Sequence, residues 1–212
     1  MPDYKATHKP DGSHLQVADR YWDSLQKKDR ALLANITFFD KIDDERLRFK
    51  FLNEIREVDF SNRCLLERSG HGWTVSDDPL LTLATVVYLN NVRMIYPVGR
   101  DIVGVKDLKE GHFFTGPHAL RIDRLLTRFG HDPEGFKRAA EALSGHHLGM
   151  ADVAYRLMPF PRVPVYYLLW QGDEEFAPRL NVLFDRSIEN VFPADAIWGL
   201  VNRVTMAFGI GD

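Results

Sequence analysis

Chemistry in this chain would come from a few polar constellations, and histidine supplies the first. His112 and His118 stand six residues apart, and Pro117-His118 reads as a helix start, where exposed backbone N–H groups attract anions. His118 could there bind a carboxylate or phosphate, or ligate a metal through a neutral ring nitrogen. The spacing matches no established metal motif, and a structural His118 whose ring satisfies a nearby carbonyl is the plainer alternative. The second constellation is Asp173-Glu174-Glu175. Consecutive carboxylates repel one another, so a metal ion, an arginine or a cationic partner would relieve them. This turn is therefore a candidate hard-cation site or acid/base pair, or simply a turn paired with Arg162, Arg179 or Arg186.

Other residues carry weaker signals. His146-His147 reads as loop surface, because adjacent histidines point apart, and His71 between two glycines reads the same way. Tyr155, Phe160, Tyr166, Tyr167, Trp170 and Phe176 concentrate aromatic rings near the C-terminal strands. A haem or corrinoid needs an apolar slot, an axial ligand and cations for its carboxylates. His118 as axial ligand, Arg121 or Arg162 at the propionates and Met150 or Met158 as second ligand would meet that need. The competing reading is a packed core. Cys64 reads as an inert thiol on a strand, and a single cysteine excludes an intramolecular disulfide or an iron–sulfur cluster held within one chain. Nucleotide phosphate loops, dinucleotide fingerprints, zinc-protease helices and serine elbows are all absent from the sequence.

The elements that must position these residues follow from periodicity. From His14, apolar residues through Tyr21, Trp22 and Leu25 recur at helical spacing, and Ala31-Leu32-Leu33 adds a turn. Alternation from Ile36 to Phe60 predicts three or four antiparallel strands, with turns at Asp43-Asp44 and Asn53-Glu54 and an end at Gly70-His71-Gly72. Asp77-Asp78-Pro79 opens an apolar helix from Leu80 to Asn91. Thr115-Gly116-Pro117 starts another, closed by a left-handed Gly130; Asp132-Pro133 caps the next, closed by Gly145. These two form an antiparallel hairpin. Strands follow at Val153–Met158, Val163–Trp170 and Asn181–Phe184, and Pro193 opens a last helix to Phe208. The sum is an α+β fold of mainly antiparallel strands packed against helices, with a central helical hairpin. One domain over residues 1–212 is expected, with a loose segment at 1–13 and a subdivision near residue 77.

Composition narrows the class. The chain has 212 residues, 45% hydrophobic and 27% charged, with a net charge of −3. It is long enough to bury a full core and lacks the basic excess of a dedicated nucleic-acid binder. The longest apolar run, Leu80 to Leu89, is about half what a bilayer requires. No secretory signal is visible, so a cytoplasmic protein, monomer or homodimer, is expected.

Residues between Gly111 and Phe192 resemble a known family. The resemblance rests on Phe113-Phe114-Thr115-Gly116-Pro117-His118, Phe129-Gly130-His131-Asp132-Pro133-Glu134-Gly135-Phe136, Pro161-Arg162-Val163-Pro164-Val165, the stretch from Leu168 through Asp173 to Phe176, and Leu183-Phe184-Asp185. The family is a domain of unknown function from anaerobic bacteria and archaea. Some members carry an iron–sulfur segment similar to that of corrinoid iron–sulfur proteins. The resemblance implies an anaerobe's cytoplasm, tetrapyrrole or one-carbon metabolism and an iron–sulfur or corrinoid partner, and it supplies no catalytic residues. The expectation is a cofactor-binding or accessory protein with His118, His112, Arg121, Arg162, Tyr166 and Trp170 at a haem or corrinoid site. A metal-assisted or acid/base enzyme using His118 with Asp173, Glu174 and Glu175, or a structural subunit without a ligand, are the alternatives.

Overall fold

A computed structural model of the chain describes residues 17–70 and 72–209. Two short helices come first, α1 (Asp19–Gln26) and α2 (Arg30–Thr37). Asp29 caps α2 by accepting the N–H groups of Ala31 and Leu32, which turns the expected single turn into a full helix. The predicted helix residues before Val17, including Leu15, lie outside the described residues, as do residues 1–13 and His71.

A five-stranded antiparallel meander follows: β1 (Asp40–Lys41), β2 (Arg46–Phe51), β3 (Glu54–Asp59), β4 (Cys64–Ser69) and β5 (Gly72–Val75), paired in that order. The sheet thus does not end at Gly70 but continues into β5, with Ser69 opposite Gly72. Alternation gives the sheet an inner face of Leu47, Phe49, Phe51, Val58 and Leu65, all buried. Helix α3 (Pro79–Asn91) starts where Asp78 accepts the N–H of Leu81, and Lys28 Nζ donates to the carbonyls of Leu89 and Asn90 at its far end.

The second sheet has the order β6-β10-β9-β8-β7, from β6 (Ile102–Gly104), β7 (His146–Leu148), β8 (Val153–Phe160), β9 (Val163–Trp170) and β10 (Arg179–Asp185). Helices α4 (Asp123–Phe129), α5 (Pro133–Ala142) and α6 (Ala194–Ala207) complete the chain. The α+β expectation holds, and α4 and α5 follow one another across a short link where the Phe129 and Phe136 rings meet. An aromatic stack joins the halves: Phe49 lies on Phe39 (4.6 Å between centroids), Phe160 on Tyr88 (5.2 Å), and Tyr88 on Phe192 (5.7 Å). Core residues of both sheets belong to one cluster. No helix among the described residues is long and apolar enough to cross a membrane.

Three helix boundaries differ from expectation. The stretch after Thr115 makes only a 3₁₀ turn over Gly116–His118, then runs irregularly until α4. Side chains of α6 hold it there. Trp198 Nε1 donates to the Ala119 carbonyl at 3.1 Å, and Asn202 Oδ1 accepts the N–H of Arg121 at 3.3 Å. Gly130 is right-handed (φ −56°), so it does not close α4 by a left-handed turn. Glycine is required for space instead, because a Cβ would sit 2.6 Å from the Leu126 carbonyl oxygen and 2.7 Å from Pro178 Cγ. After α5 the left-handed residue is Ser144 (φ 60°), one position before Gly145.

Candidate functional site

A cleft of about 420 Å³ opens beside the start of α6. Three separated parts of the chain build it: Asn91 at the end of α3, the segment from Leu108 to Phe114, and residues 189–197 leading into α6. The floor is apolar, with Leu108, Phe114, Val191, Phe192 and Ile197. The polar rim holds Glu110, Glu189, Asn190, Asn91 and Lys109. That combination of an apolar floor with a few converging polar groups is the usual form of a small-molecule site.

Hydrogen bonds fix the walls to one another. Asn91 Nδ2 donates to the Val191 carbonyl (3.1 Å), and Glu110 Oε2 accepts the N–H of Ala194 (3.3 Å), one of the N–H groups left open at the start of a helix. Glu189 Oε1 accepts the backbone N–H of Lys109 (2.5 Å). The Glu189 side chain is only 7% exposed, and its Oε2 is buried with no hydrogen-bond partner among the described residues. Arg186 Nη1 lies 3.8 Å from it and is itself turned toward the Asp107 carbonyl. In the first turn of α6, burial and then the charge of Glu110 hold the Asp195 carboxyl above the usual carboxylate range. The cleft thus carries two rim carboxylates, a third carboxyl nearby that resists ionisation, and one lysine. A second hollow of about 290 Å³ shares Lys109, Glu189 and Asn190 and runs on to Arg100 and Arg186.

The six residues expected at a cofactor site engage different neighbours. His118 lies flat on Phe113 (4.4 Å between centroids, 22° between planes) and edge-on to Trp198 (6.2 Å). Arg121 joins it there, its guanidinium 5.8 Å from the Trp198 ring. His112 is exposed, and its carbonyl accepts the Thr115 hydroxyl. Arg162 occupies a left-handed turn between β8 and β9, donates to the Tyr96 carbonyl (2.8 Å) and faces Phe38. Tyr166 is buried in a small cluster with Ala154 and Leu168, on the side of the second sheet away from the main core, and half-buried Trp170 packs against it with Arg179 stacked on its ring (4.4 Å). Tyr155, Phe160 and Tyr167 are fully buried packing residues.

Asp173, Glu174 and Glu175 form the exposed turn between β9 and β10. Asp173 Oδ1 accepts the N–H groups of Glu175 (2.9 Å) and Phe176 (2.7 Å), which hold the carboxyl below its ordinary range. Among the described residues, no three His, Cys, Asp or Glu side chains converge to hold a metal ion. The turn docks instead on the α4–α5 corner, with the Gly172 N–H directed at the Gly130 carbonyl (3.4 Å). Two stretches that carry the family resemblance thereby come into contact. His146 and His147 lie on edge strand β7 rather than on a loop, and only His147 reaches the Tyr155 ring (5.4 Å). Cys64 is half-buried on β4, and burial raises its thiol pKa.

Residues 35–207 match a domain of unknown function, DUF3786. The chain belongs to this family. No curated protein and no solved structure matches it. Within the DUF3786 domain, the cleft residues Asn91, Glu110, Glu189 and Asn190 carry no sequence signature. The one local hint was Pro193, which marks where α6 begins, and the resemblance motif at Phe113-Phe114 stops a few residues short of Glu110. The motif histidine stands behind the cleft wall: His118 contacts Phe113, whose neighbour Phe114 faces the cleft, and Trp198, whose neighbour Ile197 does the same.

Proposed function

We propose that this DUF3786 chain is a small-molecule-binding protein of the cofactor-binding or accessory type, and that the cleft at the start of α6 is its site. The ligand would have an apolar body on Phe114, Phe192 and Ile197 and an amine or other hydrogen-bond-donating head between Glu110 and Glu189. The observation that carries this reading is the cleft itself, of ligand size, with an apolar floor and the side chains of Glu110 and Glu189 in its lining; Glu189 Oε2, buried and 3.8 Å from Arg186 Nη1, makes no hydrogen bond among the described residues. Buried polar atoms in folded proteins are nearly always satisfied, so a donor in the cleft would complete this carboxylate once the Glu189 side chain turns toward it.

Haem or corrinoid as the ligand draws less support. His118 and Arg121 meet at Trp198, but Arg162, Tyr166 and Trp170 are committed to other neighbours. A role in an anaerobe's cytoplasm beside an iron–sulfur or corrinoid protein rests on the resemblance of residues 111–192. The test is a thermal-shift screen of small amines and matched carboxylates on the whole chain. Amines should stabilise the wild type, and the effect should vanish in Glu189→Gln and in Asn190→Trp, which plugs the exposed rim. A shift by carboxylates alone, or one that both variants retain, would overturn the assignment.

A further inference from the structure

The outer face of the first sheet carries a second feature that the cleft does not explain. Registers place Lys50 opposite Ile55 and Arg68 opposite Trp73, and the pairing of Arg56 with Glu67 sets Ile55 beside Arg68. One transverse row across four strands therefore reads Lys50, Ile55, Arg68, Trp73. Its neighbouring row reads Arg48, Glu57, Leu66, Val75. Both rows point away from the core face defined by Phe49 and Leu65.

Charge on this face departs from the net −3 of the chain. Lys50 and Arg68 are exposed, and neither has a carboxylate partner among the described residues. The Trp73 ring is approached by two guanidiniums, Arg48 and Arg68, each 5.5 Å from its centroid. The one acid of the second row, Glu57, is already committed, with its side chain 1% exposed and bonded to Arg48 at 2.7 Å. Ile55 (39% exposed) and Val75 (66%) supply apolar surface between the cations.

The edge is open as well. Ser76 N–H donates to the Leu65 carbonyl, so Leu65 and Ser76 form a hydrogen-bonded pair of the β4–β5 ladder. Such pairs alternate, which leaves the N–H and C=O groups of Trp73 and Val75 pointing away from β4. No backbone group of the described residues bonds them.

We infer that β5 and this face form a docking edge for an extended acidic segment of a partner protein. The segment would add a strand beside Trp73 and Val75 and set its carboxylates over Arg68 and Lys50. A polypeptide is favoured over a nucleic acid for two reasons. The outward groups of Trp73 and Val75 match a peptide backbone, and two unpaired cations are few for a phosphate chain.

The experiment is fluorescence anisotropy with the whole chain and three probes: a short labelled peptide alternating Glu and Val, its Lys-Val counterpart, and an oligothymidylate. The Glu-Val peptide should bind, and more weakly at high salt, while the Lys-Val peptide should not. Arg68→Glu, an exposed change, should weaken binding on the order of tenfold. Val75→Pro should do the same, because it removes an outward donor and no ladder bond. Circular dichroism checks that both variants fold. The proposal is overturned if the acidic peptide binds no better than the basic one, or if both variants bind it normally. It is equally overturned if only the oligonucleotide binds, or if the same variants abolish self-association of the chain instead.

Discussion

His118 lies flat on Phe113, with ring centroids 4.4 Å apart and planes 22° from parallel, while its edge meets Trp198. The most conspicuous histidine of the sequence thus works as a spacer between the 111–118 segment and α6. It sets the position of the cleft wall without lining the cleft. A stacked pair of this kind contributes about 0.5–1.5 kcal/mol beyond burial. His118→Ala should lower stability by about 1 kcal/mol and weaken amine binding at the cleft, whereas His118→Phe should restore both. Denaturant midpoints and the thermal-shift screen measure the two effects. Full binding in a destabilised His118→Ala protein would separate the histidine from the cleft.

Docking of the acidic turn depends on Gly172. A Cβ there would sit 2.6 Å from Pro178 Cδ, 2.8 Å from the Pro178 backbone nitrogen and 2.9 Å from His131 Cε1, so alanine must displace both the proline and the imidazole. Gly172→Ala is expected to cost about 1–3 kcal/mol through overpacking. Hydrogen exchange should rise over residues 130–135 and 171–178 and stay unchanged in the first sheet. A uniform loss of protection would mean that the turn is not a separate docking unit.

Asp195 gives the cleft a pH signature. Burial, reinforced by Glu110, raises its folded-state pKa above the unfolded value of about 3.9. The folded state therefore holds this proton to higher pH than the unfolded chain. Stability from this group falls as pH rises through the unfolded value toward the folded one, and the penalty persists at neutral pH. Asp195→Asn should raise the neutral-pH melting temperature and flatten that limb of the profile. Thermal melts across the acidic and neutral range test this, and a variant less stable than the wild type at neutral pH would contradict it.

Local signals made much of the fold legible. Asp78-Pro79 and Asp132-Pro133 marked the starts of α3 and α5, because a capping carboxylate and a proline act on their own first turns. The run from Val163 to Trp170 marked β9, which is buried nearly throughout. The segment after Thr115 was not legible. Its backbone is captured by Trp198 and Asn202, some eighty residues away, and no local pattern reports that. Gly130 has the position of a left-handed cap, whereas what demands glycine is the close approach of the Leu126 carbonyl and Pro178. The site was the least legible part. Asn91, Glu110 and Glu189 share no spacing, and the fold alone brings them to one cleft. Histidines and consecutive carboxylates drew notice by residue type, yet His118 packs within a wall and Asp173 serves its own turn.

The ligand proposed for the cleft at the start of α6 is a small amine-bearing molecule. The most direct test is amide chemical-shift mapping of the isotopically labelled chain during titration with the best amine from the screen. The shifts should saturate and cluster at Asn91, Glu110, Asn190, Ala194 and Ile197, and should disappear in Glu189→Gln. Shifts centred on Tyr166 and Trp170, or none that saturate, would contradict the assignment of the cleft.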